Sequence, residues 1–142
     1  FEAGDSALTL LDLLSAPAGN PNSLNQFELA PGVSKIDLVA EGVANITVHE
    51  AGHFLGNWHT ENSTAGAGPS IMDRGGNLAG SVGVGIDLIF GSMDDIDVDF
   101  IPDLFSFAEG FRGTEHTDEK TAFALSSGSD AIFSDSFETT IL

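Results

Sequence analysis

The residues of this sequence with the clearest chemical potential lie in one short segment. His49, Glu50, His53, Gly56 and His59 form the pattern H-E-x-x-H-x-x-G-x-x-H. On an α-helix, residues four apart lie on the same face about one turn apart, so the first two imidazoles can reach one metal ion. A glycine can then end the helix, and the third histidine can return to the same ion. Three neutral imidazoles with an open fourth position are typical of a catalytic zinc site.

Glu50 is offset by one residue from the first histidine of this pattern. It is therefore expected beside the metal, within reach of a water molecule on the open position, without being a ligand. Zinc lowers the pKa of a bound water towards about 7, and a carboxylate in this place can act as the general base. The segment predicts His49, His53 and His59 as zinc ligands and Glu50 as the catalytic residue.

A long helix must carry the first two histidines. Ser34 followed by Asp37 resembles a capping box, which marks a helix start. The apolar residues that follow recur at the spacing of one helix face: Ile36, Val39, Val43 and Ile46. We therefore predict a helix from about Lys35 to Leu55, with Gly56 as its stop.

A second hallmark follows the histidines at Ser70-Ile71-Met72-Asp73, where Met72 lies 13 residues after His59. Together, the two motifs resemble those of the metzincin zinc endopeptidases. The resemblance implies an α+β fold in which a Met-turn passes beneath the three histidines, followed by an irregular C-terminal subdomain and a C-terminal helix. It also implies a substrate that lies extended along an edge strand upstream of the zinc helix, and a pocket wall formed by residues 73–84.

The sequence departs from that family in two respects. Only 48 residues precede His49, so the N-terminal sheet is expected to be incomplete, supplied in part by a second chain, or shortened by processing. The chain has no tyrosine, which excludes the additional Tyr ligand of the astacin and serralysin branches. The alternative function is a non-catalytic binding or assembly module stabilised by zinc, or one half of a processed protease.

The composition narrows the possible partners and domain organisation. The 142 residues suit one domain, which we assign to residues 1–125, with residues 126–142 as a tail of uncertain structure. A net charge of −18 argues against binding to nucleic acid or an anionic membrane through a basic patch. The absence of cysteine excludes disulfides and Cys-based zinc sites. The expected partner is a protein or peptide substrate, and the resemblance and acidic composition together favour a secreted bacterial protein.

Three alternating aspartates are candidate ligands for a calcium ion. Asp95, Asp97 and Asp99 alternate like the opening of an EF-hand loop, but Phe100 replaces its glycine and Ser106 replaces its final glutamate. The EF-hand is therefore rejected. A solvated acidic strand face is the preferred interpretation, while a calcium site at the three aspartates stays open because secreted metzincins often carry calcium.

The rest of the chain is predicted as short elements: a helix or strand over residues 5–14, a loop over 15–26, an extended piece over 27–33, an irregular loop over 60–80 and a helix over 114–125. Alternating apolar residues from Val82 to Phe90 predict a strand, and a second strand is predicted from Asp95 to Phe100. The two strands would form a hairpin across residues 82–100.

Overall fold

A computed structural model describes residues 9–62 and 68–126. Its helices are α1 (Leu11–Leu14), α2 (Lys35–Phe54), α3 (Leu78–Val82) and α4 (Thr117–Ser126), and its strands are β1 (Glu28–Leu29), β2 (Ile89–Phe90), β3 (Pro102–Leu104) and β4 (Thr114–His116). Two 3₁₀ turns span Leu24–Gln26 and Phe107–Glu109. The predicted α+β class is confirmed at the level of mixed helices and small sheets. Residues 5–8, residues 63–67 of the predicted loop and residues 127–142 of the predicted tail lie outside the described residues.

The central helix α2 begins and ends as the sequence predicts. The backbone N–H of Asp37 donates to Ser34 Oγ at 3.2 Å, and the N–H of Ser34 donates to Asp37 Oδ2 at 2.9 Å, which completes the capping box. At the other end, Gly56 has φ of +91° and donates to the carbonyl of His53, while Asn57 donates to the carbonyl of Gly52. These two hydrogen bonds form a Schellman motif, which turns the chain away from the helix axis.

The hydrophobic core lies against one side of α2. Its buried members are Leu14, Leu24, Phe27, Leu38, Val82 and Val84. Gly42 brings the helix close to the first 3₁₀ turn, since a Cβ at this position would lie 2.9 Å from Leu24 Cδ2. The helix therefore packs through the side that carries Gly42 and the fully buried Leu38.

The predicted apolar face of α2 is only half right. Val43 and Ile46 pack partly buried against the core. Ile36 and Val39 do not, because their side chains are 78% and 42% exposed. The periodicity located the helix correctly, but Leu38 and Gly42, four residues apart on one side of the helix, face the core in its first half.

The sheets are small. Strand β1 pairs in parallel with β2 through Glu28–Ile89 and Leu29–Phe90. Strands β3 and β4 are antiparallel, with Asp103 opposite Glu115. Helix α4 packs against β3, and its position confirms the predicted C-terminal helix, although residues 114–116 of that prediction belong to β4 because they pair with β3.

The predicted hairpin across residues 82–100 is wrong. Of its first strand, Val82 is the last residue of α3, because the Asn77 side chain caps this helix by accepting a hydrogen bond from the N–H of Gly80. Gly83 then adopts a left-handed conformation with φ of +79°, which ends the helix. Only Ile89–Phe90 of that strand is extended, and it pairs with β1. The second predicted strand is reduced to an isolated bridge between Ser70 and Asp99.

One backbone hydrogen bond joins the two segments, in place of the series of hydrogen bonds that a hairpin would form. The N–H of Ile96 donates to the carbonyl of Gly83 at 2.8 Å. The two segments approach so closely that a Cβ at Gly83 would lie 2.1 Å from the carbonyl oxygen of Ile96.

Across residues 9–62 and 68–126, no helix combines the length and apolar character that a membrane crossing requires.

Candidate metal centre

The three histidines of the motif converge at one point. A ring nitrogen from each of His49, His53 and His59 lies within 4.8 Å of those of the other two. The ring centroids are 4.9 Å apart for the pair on the helix, and 5.3 Å and 4.6 Å apart for their pairs with His59. Within the described ranges, no other set of three or more His, Asp or Glu side chains could hold a metal ion in this way.

The two helical histidines are oriented by backbone carbonyl groups. His49 Nδ1 lies 2.7 Å from the carbonyl oxygen of Ile71. His53 Nδ1 lies 3.0 Å from the carbonyl oxygen of Asn57, in the turn that follows the helix. A ring that donates Nδ1–H to such an acceptor leaves the lone pair of Nε2 for a metal. The turn from Ser70 to Asp73 and the turn after the helix thus orient one histidine each.

His59 is oriented by a carboxylate. Its Nδ1 lies 2.5 Å from Glu109 Oε1, in the second 3₁₀ turn. The backbone of His59 is held by the same segment, since its carbonyl oxygen accepts a hydrogen bond from the N–H of Ser106 at 2.8 Å. All three Nδ1 atoms therefore face acceptors, and all three Nε2 atoms remain to bind one ion.

Hydrogen bonds of Thr60 link the segment that carries His59 to the turn from Ser70 to Asp73. The N–H of Thr60 donates to the carbonyl of Met72 at 2.8 Å, and the N–H of Arg74 donates to the carbonyl of Thr60 at 3.1 Å. The Thr60 hydroxyl also donates to Asp73 Oδ1 at 2.9 Å. His59 is thus placed by hydrogen bonds on both sides, although it lies beyond the helix.

Met72 packs against the end of α2 that carries the histidines. Its side chain is fully buried. A Cβ at Gly52 would lie 2.4 Å from Met72 Sδ and 3.0 Å from Phe100 Cε1, so the helix requires glycine where it meets the turn. The tight turn from Ser70 to Asp73 is closed by a 3.0 Å hydrogen bond from the N–H of Asp73 to the carbonyl of Ser70.

Asp73 is a buried carboxylate at the end of this turn. It accepts hydrogen bonds from the Thr60 hydroxyl and the Ser70 N–H. Burial raises the pKa of Asp73 to about 6, and the negative charges of Asp103 and Glu61 act in the same direction, against the lowering effect of its hydrogen bonds. The charge state of this group therefore changes within a mildly acidic range.

The environment of His49 favours the neutral form of its imidazole. Burial lowers the pKa of His49 below its ordinary value of 6.5, with smaller contributions from the other two histidines, although the carbonyl of Ile71 acts in the opposite sense. A neutral imidazole is the form that binds metal.

Glu50 lies beside the cluster without belonging to it. Together with His49 it lines a cavity of about 210 Å³. Much of the remaining wall is apolar. It is formed by residues of α1, of α2 and of the segment that follows α2: Leu13, Leu14, Ile46, Ile71 and Leu78. The segment after Met72 also contributes Asp73, Gly75, Gly76 and Ser81.

The three aspartates of the acidic run do not form a comparable ligand group in the described part of the chain. Asp95 and Asp97 both line a second, polar cavity together with Asp99. Asp95 Oδ2 accepts a hydrogen bond from the N–H of Gly91. The calcium interpretation and the solvated-face interpretation both stay predictions.

The group of three histidines was predicted from the sequence, whereas Glu109 was not. That residue lies 50 positions after His59, in an unremarkable F-A-E-G stretch. A Ser106 side chain that caps the turn and a glycine at position 110 are the only local signals, and neither one indicates a contact with a histidine.

Comparison of the chain with protein-family models, with curated proteins and with solved structures found no match.

Proposed function

We propose that this protein is a zinc-dependent endopeptidase similar to the metzincins. One observation carries the proposal: three histidines converge with every Nδ1 on an acceptor, next to a glutamate that lines a cavity with the first of them. Three imidazole ligands with an open position fit zinc better than calcium or magnesium, which prefer oxygen ligands. The conclusion rests on this arrangement and on the two motifs that resemble those of the family.

The residues divide the chemistry between them. A bound zinc ion would supply Lewis-acid activation of water and of the scissile carbonyl. His49, His53 and His59 would hold it through Nε2. Glu50 would accept a proton from the attacking water and pass it to the nitrogen of the leaving amine. Because the chain has no tyrosine, no phenol group can assist at the oxyanion.

The cavity beside Glu50 suits an apolar substrate side chain. Its volume of about 210 Å³ and its walls from Leu14, Ile46 and Leu78 would accept an aliphatic group. Residues after Met72 contribute to this wall, as the resemblance implies. Strand β1 lies upstream of α2 and, among the described strands, pairs only with β2, so its other edge is the proposed site for an extended peptide.

A second candidate function is a zinc-stabilised binding or assembly module, or one half of a protease that a second chain completes. The exposed aliphatic side chains on α2 favour it, since Ile36, Val39 and Val48 are at least 42% exposed. A two-stranded parallel sheet of two residue pairs is also smaller than parallel sheets usually are.

We also propose that the protein is secreted, on the basis of the resemblance and the acidic composition.

Replacement of Glu50 by Gln tests the catalytic assignment. The change keeps the size of the side chain but removes the base, so zinc content and melting temperature should stay close to those of the parent. Hydrolysis of an unfolded protein should fall by about 10²–10⁴-fold, as is typical for a positioned general base. His59→Ala should instead weaken zinc binding itself.

Glu41→Gln is the matched control, because Glu41 is an exposed residue of the same helix. It should retain full activity. Equal activity of Glu50→Gln and the parent would show that Glu50 is not the base. A zinc-loaded parent without hydrolytic activity would instead favour the binding or assembly module.

A further inference from the structure

The third ligand histidine is held differently from the other two. His49 and His53 project from one helix and face backbone carbonyl groups. His59 lies beyond the helix end, and its Nδ1 faces the side chain of Glu109. Its orientation therefore depends on a side chain that can be replaced without changing the backbone path.

Glu109 lies in a short turn whose backbone is held by hydrogen bonds to the segment around His59. It ends the 3₁₀ turn Phe107–Glu109, which begins after the buried Ser106 and is followed by Gly110 with φ of +77°. The N–H of Ser106 holds the carbonyl of His59 at 2.8 Å, and the N–H of Phe107 donates to Glu61 Oε1 at 2.8 Å. The side chain of Glu109 is only 16% exposed. These contacts hold the backbone next to both members of the His59–Glu109 pair.

We propose that Glu109 is the positioning residue of His59: its carboxylate accepts a hydrogen bond from Nδ1–H of His59 and so directs the Nε2 lone pair to the metal. The inference rests on the metal site of the proposed function. A carboxylate on the outer nitrogen of a ligand histidine fixes the tautomer and ring orientation, and it strengthens the donor nitrogen. Glu109 does not belong to the ligand group itself.

This role differs from that of an ordinary ion pair. A partly exposed carboxylate–histidine pair contributes little to the stability of a fold, and its loss would leave metal binding unchanged. A positioning carboxylate contributes to metal affinity, since its loss allows His59 to rotate or to carry its proton on Nε2. The distinction is measurable without any assay of hydrolysis.

The first experiment measures zinc affinity by competition with a chelating dye. Glu109→Ala should bind zinc about 10–100-fold more weakly than the parent, as is usual when a partner of this kind is lost. Glu109→Gln should lose less, because its amide oxygen can still accept a hydrogen bond from Nδ1–H of His59. Glu119→Gln carries the same change of net charge at an exposed position of α4, and should bind like the parent.

The second experiment reads the tautomer of His59 in the metal-free protein by long-range ¹H–¹⁵N NMR. The parent should carry the proton on Nδ1, whereas Glu109→Ala should show a mixture of both tautomers. This readout also covers the case in which the alanine variant folds poorly, because the neutral amide of the glutamine variant accepts a weaker hydrogen bond and should shift the tautomer in the same direction to a smaller extent.

Undiminished zinc affinity and an unchanged tautomer in Glu109→Ala would overturn the proposal and leave an ion pair only. A parent that binds no zinc would overturn both this inference and the proposed function. A parent that binds zinc, with weaker binding in Glu109→Ala but no hydrolysis in any variant, would overturn the proposed function alone.

Discussion

Glu50 and Asp73 are two carboxylates of the same cavity with different roles. Glu50 lies next to His49 in the sequence and is the proposed base. Asp73 is buried at the end of the turn from Ser70 to Asp73, where it accepts hydrogen bonds from Thr60 and Ser70. These contacts hold the turn that orients His49, so Asp73 supports the site without a place in the proposed chemistry.

The raised pKa of Asp73 makes a prediction about stability. In the unfolded chain this group has an ordinary pKa of 3.8, and in the folded chain the pKa is about 6. Between these values the folded state binds more protons than the unfolded state, so the contribution of Asp73 is nearly complete at pH 4 and is lost as the pH rises from about 4 through 6. The loss should amount to about 2–3 kcal/mol.

Denaturant unfolding of the metal-free protein at pH 4 and pH 7 checks this, with Asp73→Asn as the matched variant. The change in the free energy of unfolding between the two pH values should be more negative in the parent than in the variant. The same pH dependence in both proteins would show that the pKa of Asp73 is not raised.

At the scale of elements, the close approach of α2 to the Met-turn depends on Gly52. Alanine at this position gains helix propensity, worth about 1 kcal/mol. Its Cβ would, however, collide with the buried Met72 and with Phe100. We predict a net destabilisation of about 1–3 kcal/mol, as is usual for an overpacked core.

Thermal or denaturant unfolding of Gly52→Ala measures this effect. Ala44→Gly is a useful control, because Ala44 is exposed on the same helix and reports helix propensity alone. A stabilised Gly52→Ala would mean that Met72 moves aside at no cost and that the turn is not tightly packed on the helix.

The group of three histidines and α2 were predictable because their signals are local. A capping box, a stop glycine and a histidine spacing act within a few residues of each other. The hairpin prediction failed because alternation from Val82 to Phe90 competes with the Asn77 cap and the left-handed Gly83, and these decide the local backbone. Glu109 could not be predicted, since its contact with His59 depends on how two distant segments pack.

The whole molecule carries a net charge of −18, and self-repulsion of this size opposes the compact state. Salt shortens the screening length from about 10 Å at 0.1 M to about 3 Å at 1 M. The melting temperature should therefore rise with sodium chloride over this range. An unchanged or falling melting temperature would show that the acidic groups are already neutralised by local contacts.

A comparison of calcium with magnesium distinguishes general charge screening from specific calcium binding at Asp95, Asp97 and Asp99. If these residues are a solvated face, millimolar calcium and magnesium should change the melting temperature equally and only slightly. A large stabilisation by calcium alone, abolished by Asp97→Asn, would contradict this prediction and establish a calcium site.

The central claim is that one zinc ion on the three histidines makes this chain a peptidase, and metal removal followed by metal return tests it most directly. The purified protein should contain one zinc per chain and should cleave an unfolded protein. A chelator should abolish cleavage, and one equivalent of zinc should restore it. Full zinc occupancy without cleavage, or cleavage that persists after the metal has been removed, would contradict the account.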